Sequence, residues 1–250
     1  MKLYILGNGF DVAHGLPTKY LDFENYVKSI DKELYDKLNE IYPSSVLWFD
    51  FEKGLGEADT SLLKKIDDLF GIKGIVGKSF ADKISTIFGQ WISEIDYSKA
   101  GKLFSFSDND IFFSFNYTDT LNSVYGIQET NIIHIHNFVG DCLFELHKLI
   151  VGHNNSNFGD CELLKSTYKD TKKIIAENKQ WFDDLNSKPI TDIEVIGHSY
   201  NLIDVDYFDG INKHLPDVKW LMNYHTDEDK TRLEAFVNKV GIRDYEIKEI

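Results

Sequence analysis

A chain of 250 residues with 42% apolar content can bury a substantial core, most simply as one domain with an insertion. Its 41 acidic against 27 basic residues leave a formal charge of -14, spread along the whole length; such a surface repels a phosphate backbone and makes nucleic acid an unfavoured partner. With only Cys142 and Cys161 there is no four-cysteine zinc site and no disulfide framework.

Lys2–Leu6 (KLYIL) is a short apolar strand candidate that runs straight into Gly7-Asn8-Gly9, with Gly15-Leu16-Pro17-Thr18 following. A buried strand that ends in glycines at a tight turn is how open α/β sheets bring backbone N–H groups up to a phosphate. Because this strand starts at residue 2, no room is left for a secretory leader. No apolar run approaches membrane-spanning length, so a cytoplasmic protein with no membrane partner is expected.

Residues 21–41 carry Phe23, Tyr26, Val27, Ile30, Leu34, Leu38 and Ile41 at helical spacing, which predicts one amphipathic helix. After Pro43-Ser44-Ser45, Val46–Glu52 form a dense aromatic patch. Residues 60–71 and 78–96 read as further helices, so 24–103 is expected to be a helical insertion into a core of 1–23 and 104–250.

Beyond 104 the pattern turns to strands: Ile111–Phe115, Ile132–His136, Leu149–Gly152, Ile193–Gly197, Val218–Met222 and Tyr245–Lys248, with helices at 160–188 and 226–240. Including the first, that makes seven strand candidates. The expected fold is α/β, a Rossmann-like doubly wound and mainly parallel sheet of about six to seven strands.

In such sheets ligands lie outside the carboxyl ends of the strands. Those ends read Gly7-Asn8-Gly9-Phe10-Asp11, Asn116-Tyr117-Thr118, His136-Asn137, Gly152-His153-Asn154 and Gly197-His198-Ser199. The first loop has Val12 where a dinucleotide fingerprint has its third glycine, and no Walker Gly-Lys-Ser/Thr follows; a plain turn needing positive φ fits it as well. Asn116, Tyr117 and Thr118 suit ribose hydroxyls or a bound water, or else a turn that caps the helix starting near Asp119.

His134 and His136 alternate with isoleucines and so share one face of their strand. His136, at the strand mouth, suits a general base, while His134 suits the core; with His153 and His198 the pair could instead bind a metal. Gly197-His198-Ser199-Tyr200-Asn201 lacks the second glycine of a nucleophile elbow, and only Asp204 and His225 are nominal triad partners. Ser199 is better placed to cap a helix whose first turns hold Asp204 and Asp206.

LYILGNGFDVAHGLPTKYLDF, FSFNYTDTL, IHIHN and IGHSYNLIDVDYF resemble, in order and spacing, the AbiH family of bacteriophage abortive-infection proteins. Trp48 to Glu52 is similar to that family's W-x-x-x-E stretch, whereas Asn137 stands where the family usually has glycine. AbiH proteins in turn resemble sirtuin-like NAD-binding domains, with Asp11 in place of a serine of the G-A-G-x-S pattern.

The resemblance implies a protein of antiviral defence that hydrolyses NAD at the nicotinamide–ribose bond, with no metal. It places the catalytic roles on Asn116 and His136. It places nucleotide contacts on Gly7, Asn8, Gly9, Phe10, Asp11, Gly15, Pro17, Thr18, Tyr117, Gly197, His198, Ser199 and Asp204. The amides of Gly7 and Gly9 would take the diphosphate, and Trp48 and Glu52 would belong to a lid. Two other readings stay open: a non-catalytic nucleotide sensor, and a histidine-based metal hydrolase or nuclease. A phage-encoded trigger, a co-encoded defence protein and a second copy of the chain are the further partners to consider.

Overall fold

Lys2–Leu6 forms β1, and its apolar run is buried from Leu3 to Leu6, as a strand covered on both faces requires. In a computed structural model, which describes residues 1–42, 44–58, 76–142, 145–157 and 161–250, this strand is central in a six-stranded sheet. Its companions are β2 (Ile111–Ser114), β3 (Ile132–His134), β4 (Asp192–Ile196), β5 (Lys219–Tyr224) and β6 (Tyr245–Glu249). Every pairing is parallel, and the order β3-β2-β1-β4-β5-β6 is that of a doubly wound Rossmann-like sheet. The strand order reverses between β1 and β4, which share the register Leu6↔Ile196.

The chain packs as two units. Met1–Leu16, Asp96–Ile135 and Asp170–Ile250 make up the first; Pro17–Ile95 and His136–Lys169 make up the second. The sheet belongs to the first unit. Helix α1 (Asn8–Ala13) covers part of one face with Phe10, packed with Tyr4, Phe112 and Leu121. Tyr207 and Phe208, on a helix spanning Val205–His214, and Phe236, on one spanning Asp227–Val240, are fully buried in the same unit. Phe208 and Phe236 meet edge to face at 4.8 Å.

The second unit is helical: α2 (Tyr20–Ile30), α3 (Lys32–Ile41), α4 (Ser44–Leu47), α5 (Phe51–Leu55) and α6 (Val76–Ser93) lead it. Phe23 is its centre, with ring centroids of Phe51, Phe88 and Trp91 at 5.0, 5.1 and 5.1 Å. Phe80, Ile84, Ile87, Phe88, Trp91 and Ile92 of α6 are all buried, as one apolar stripe. The segment 24–103, read as a helical insertion, lies in this unit as far as Ile95. The helix expected over 60–71 lies outside the described residues.

Three expectations are corrected. Residues 21–41 form two helices, because Asp31 leaves helical geometry (φ -144°) and its carboxylate accepts the amide of Leu34 at 2.9 Å, starting α3 afresh. A short polar side chain that can cap competes with helix continuation. Residues 160–188 are likewise divided into Glu162–Ser166, Thr171–Glu177 and Lys179–Asp184, with Asp170 capping the second.

Leu149–Gly152 joins no sheet, which reduces the seven strand candidates to six. Its backbone is spent locally, Ile150 N–H on the carbonyl of His136 and His153 N–H on that of Thr167. A run of four apolar residues cannot by itself distinguish a strand from a buried loop. Among the described residues no helix is long and apolar enough to cross a membrane.

Asp31→Ala should cost about 1 kcal/mol in urea unfolding, whereas Asp31→Asn, which still caps, should cost little. Equal losses would assign the effect to the ion pair of Asp31 with Lys83 instead.

Candidate functional site

The turns that follow β1 and β4 are locked together. Gly7 N–H donates to the Ile196 carbonyl at 3.0 Å and Gly9 N–H to the Gly197 carbonyl at 2.8 Å. A Cβ on Gly7 would lie 2.6 Å from the Gly197 oxygen, and one on Gly9 2.7 Å from the Gly197 Cα. Gly197 itself has φ +67°, and a Cβ there would sit 2.2 Å from the Phe10 nitrogen. The three glycines are therefore required by backbone packing against backbone. Both amides expected to hold a diphosphate are already engaged, so that role has no donor left in Gly7 or Gly9.

Asn116 stands just beyond β2 and is buried. Its Nδ2 donates to the Gly7 carbonyl at 3.2 Å, and its own carbonyl meets His134 Nδ1 at 3.2 Å. Beside it Asp11, 1% exposed, accepts from Thr118 Oγ1 and Thr120 Oγ1, each at 2.6 Å. Burial pushes the Asp11 carboxyl up to about 6, against the downward pull of those hydroxyls and of Asn116. Tyr97, raised to about 12 chiefly by burial and also by the charge of Asp11, accepts the Asp119 amide at 3.0 Å. Thr120 and Tyr97 were missed in the sequence; two threonines spaced to one face after a strand were the available signal.

At the end of β4, Tyr200 N–H donates to His198 Nδ1 at 2.9 Å, which leaves the ring proton on Nε2 for Asp204 Oδ2 at 3.1 Å. Tyr200 adopts φ +54°, and its hydroxyl donates to the Asn223 carbonyl at 2.6 Å. His198 is packed among Phe115, Phe208 and Tyr200. Ser199 is exposed, and it caps no helix: the next helix starts at Val205, after a 3₁₀ turn preceded by Asn201. The nominal triad partners are also committed, Asp204 to His198 and His225 Nδ1 to the Ile250 carbonyl at 2.8 Å.

The first unit thus brings together Gly7, Gly9, Asp11, Asn116, Gly197 and His198. Phe10 is a core ring 4.5 Å from His14, Gly15 (φ +74°) ends α1, and Asn8 is exposed while Tyr117 is half-buried. Pro17, Thr18, Trp48, Glu52, His136 and His153 belong to the second unit.

β3, in the first unit, ends at His134, so His136 occupies a turn and the expected strand alternation does not reach it. His136 is buried. Asn137 adopts φ +62° and donates from Nδ2 to the Lys148 carbonyl at 2.8 Å. Asparagine is the usual alternative to glycine in that left-handed region, which is what this turn requires of residue 137.

His153 is 1% exposed; its Nδ1 accepts the Asn155 amide at 3.0 Å and its Nε2 donates to the Leu164 carbonyl at 3.0 Å. Burial lowers its pKa and keeps it neutral. With both ring nitrogens of His153 and His198 engaged, neither offers a lone pair to a metal. Among the described residues no group of three His, Cys, Asp or Glu side chains is arranged to hold one.

Trp48, assigned to a lid, is a core residue 3% exposed, stacked with Phe51 at 5.8 Å and donating to Asn39 Oδ1 at 2.9 Å. Glu52 is the counter-ion of Lys169, whose side chain is wholly buried, at 2.5 Å.

A family model described as bacteriophage abortive infection AbiH matches residues 3–224, from β1 to the end of β5. The chain belongs to the AbiH family. No curated protein and no solved structure matches it significantly. Membership supports a role in abortive infection, the defence of a bacterium against phage.

Two measurements test these assignments in this AbiH protein. The folded chain holds a proton on Asp11 that the unfolded chain releases near the ordinary carboxyl value of 3.8. Asp11 therefore favours folding fully below that value, and its contribution is lost as pH rises through about 6. Relative to wild type, Asp11→Asn should gain on the order of 3 kcal/mol between pH 4 and pH 7 in urea unfolding. A pH-independent difference would refute the burial of an ionisable Asp11. Separately, Glu52→Gln should cost about 3 kcal/mol by leaving Lys169 buried without its counter-ion, and Lys169→Met in the same chain should recover part of that.

Proposed function

We propose that this AbiH protein binds a nucleotide at the carboxyl edge of its sheet and hydrolyses NAD at the nicotinamide–ribose bond. The observation that carries the reading is Asn116. It is a buried amide at the end of β2, beside the β1–β4 reversal where doubly wound sheets take nucleotides, and its nitrogen is pinned by the Gly7 carbonyl. The resemblance to sirtuin-like NAD-cleaving domains supports the choice of NAD.

In this reading the bond from ribose C1′ to the nicotinamide nitrogen breaks through an oxocarbenium-like state. The cationic ring leaves as neutral nicotinamide. Water adds its oxygen to C1′ and releases its proton to solvent, and ADP-ribose is the other product. Asn116 holds the ribose hydroxyls and the water. Gly7 and Gly9 take no part in holding the diphosphate; they allow the two turns to meet. Asp11 has a structural account in the threonine network and Asn137 has one in its left-handed turn.

Calorimetric titration with NAD and ADP-ribose, with nicotinamide release followed by chromatography, tests the reading. Release is expected to fall about 10²-fold or more in Asn116→Ala, which no longer positions the ribose and the water. Normal turnover in that variant would sink the assignment of Asn116. Absence of binding by either ligand would sink the choice of NAD.

A further inference from the structure

Strand β6 is the outer strand of the sheet on the β5 side and lies beyond the residues matched by the AbiH family model. All its residues are exposed except Ile247, which is half-buried. Trp220 N–H donates to the Asp244 carbonyl at 2.9 Å and Ile250 N–H to the Tyr224 carbonyl at 2.9 Å, so the even-numbered residues turn their backbone toward β5. In a parallel ladder the alternate residues then face the other way. The N–H and C=O groups of Tyr245, Ile247 and Glu249 therefore line the outer edge, beyond which no further strand lies among the described residues.

An edge of this kind accepts a further strand. The sequence Tyr245-Glu246-Ile247-Lys248-Glu249 says which one. In an antiparallel pair of two β6 strands about a two-fold axis at Ile247, the hydrogen-bonded pairs are Ile247 with Ile247 and Tyr245 with Glu249, all outward-facing residues. The intervening non-hydrogen-bonded positions, where side chains come closest, then set Glu246 of one copy opposite Lys248 of the other, twice. Sliding the register by two residues puts Glu246 against Glu246 or Lys248 against Lys248. The charges that would blunt the edge toward other strands are thus self-complementary in one register and repulsive in its neighbours.

We propose that a second copy of this chain docks on β6, antiparallel and centred on Ile247, joining two six-stranded sheets into one. The area of a five-residue edge is below that of a standard interface, so the dimer exchanges with monomer. Glu246 reaches this contact while keeping its exposed pair with Lys219, since a carboxylate has two oxygens.

Sedimentation equilibrium of the full chain over a concentration series tests the proposal. Lys248→Glu and Glu246→Lys, both at exposed positions, should each weaken dimerisation roughly tenfold, because two attractive pairs become repulsive. Mixing the two variants, or combining both changes in one chain, should restore wild-type association. A wild-type protein that stays monomeric at all concentrations overturns the proposal. A dimer indifferent to both reversals, or not restored by the exchange, overturns it equally and places the contact elsewhere.

Discussion

The close approach of the turn after β1 to the turn after β4 sets the geometry of the rest of that sheet edge. Side chains cannot intervene, because the atoms in contact are backbone on both sides: Gly7 against the Gly197 carbonyl, Gly9 against the Gly197 Cα, and Gly197 against the Phe10 nitrogen. Backbone cannot rotate out of the way as a flexible side chain can, so each position admits glycine alone. Once the turns are fixed, the Gly7 carbonyl is held where it can accept from Asn116, and the chain after Gly197 is placed to put His198 onto Asp204. The polar groups at the mouth of the sheet inherit their positions from that contact.

These polar groups also show what the sheet edge can tolerate. His198 and Tyr200 are buried and their polar atoms bonded, His198 to an amide and a carboxylate, Tyr200 to the Asn223 carbonyl. A bond lost here would leave a partner unsatisfied at a cost of about 1–3 kcal/mol. The left-handed backbone of Tyr200, unfavourable for a residue with a Cβ, is therefore held by two bonds that fix the residue at both ends.

Fold class was readable because buried parallel strands are near-continuous apolar runs, and Leu3–Leu6 and Ile111–Phe113 are such runs. Element boundaries were harder. Asp31 and Asp170 look like ordinary polar residues on helical faces until their carboxylates are seen to accept the amides three residues on. Leu149–Gly152 is as apolar as a strand, but strand identity depends on a neighbour to pair with, and no local pattern records that. The site was legible as a set of strand ends and not as a set of roles. Glycine in a turn signals close approach equally well to a ligand and to another backbone. Histidines at strand ends signal reactivity and helix-to-loop ties alike; His153 proves to be a tie between the Asn155 amide and the Leu164 carbonyl.

Two buried ionisable arrangements, one in each unit, solve the same problem in opposite ways. Lys169 is paired with the opposite charge of Glu52, an arrangement that makes either partner costly to remove alone. Asp11 has only the neutral hydroxyls of Thr118 and Thr120 as its principal partners, and its carboxyl is accordingly pushed up toward neutrality. Hydroxyls suit that position because each can donate to a carboxylate or turn and accept from a carboxylic acid. A lysine in their place would hold Asp11 ionised, and a pair of backbone N–H groups would have no acceptor for the O–H of its protonated form. The threonine pair therefore lets Asp11 change protonation state without leaving a buried polar atom unsatisfied. Aspartate can in this way occupy a buried position beside Asn116.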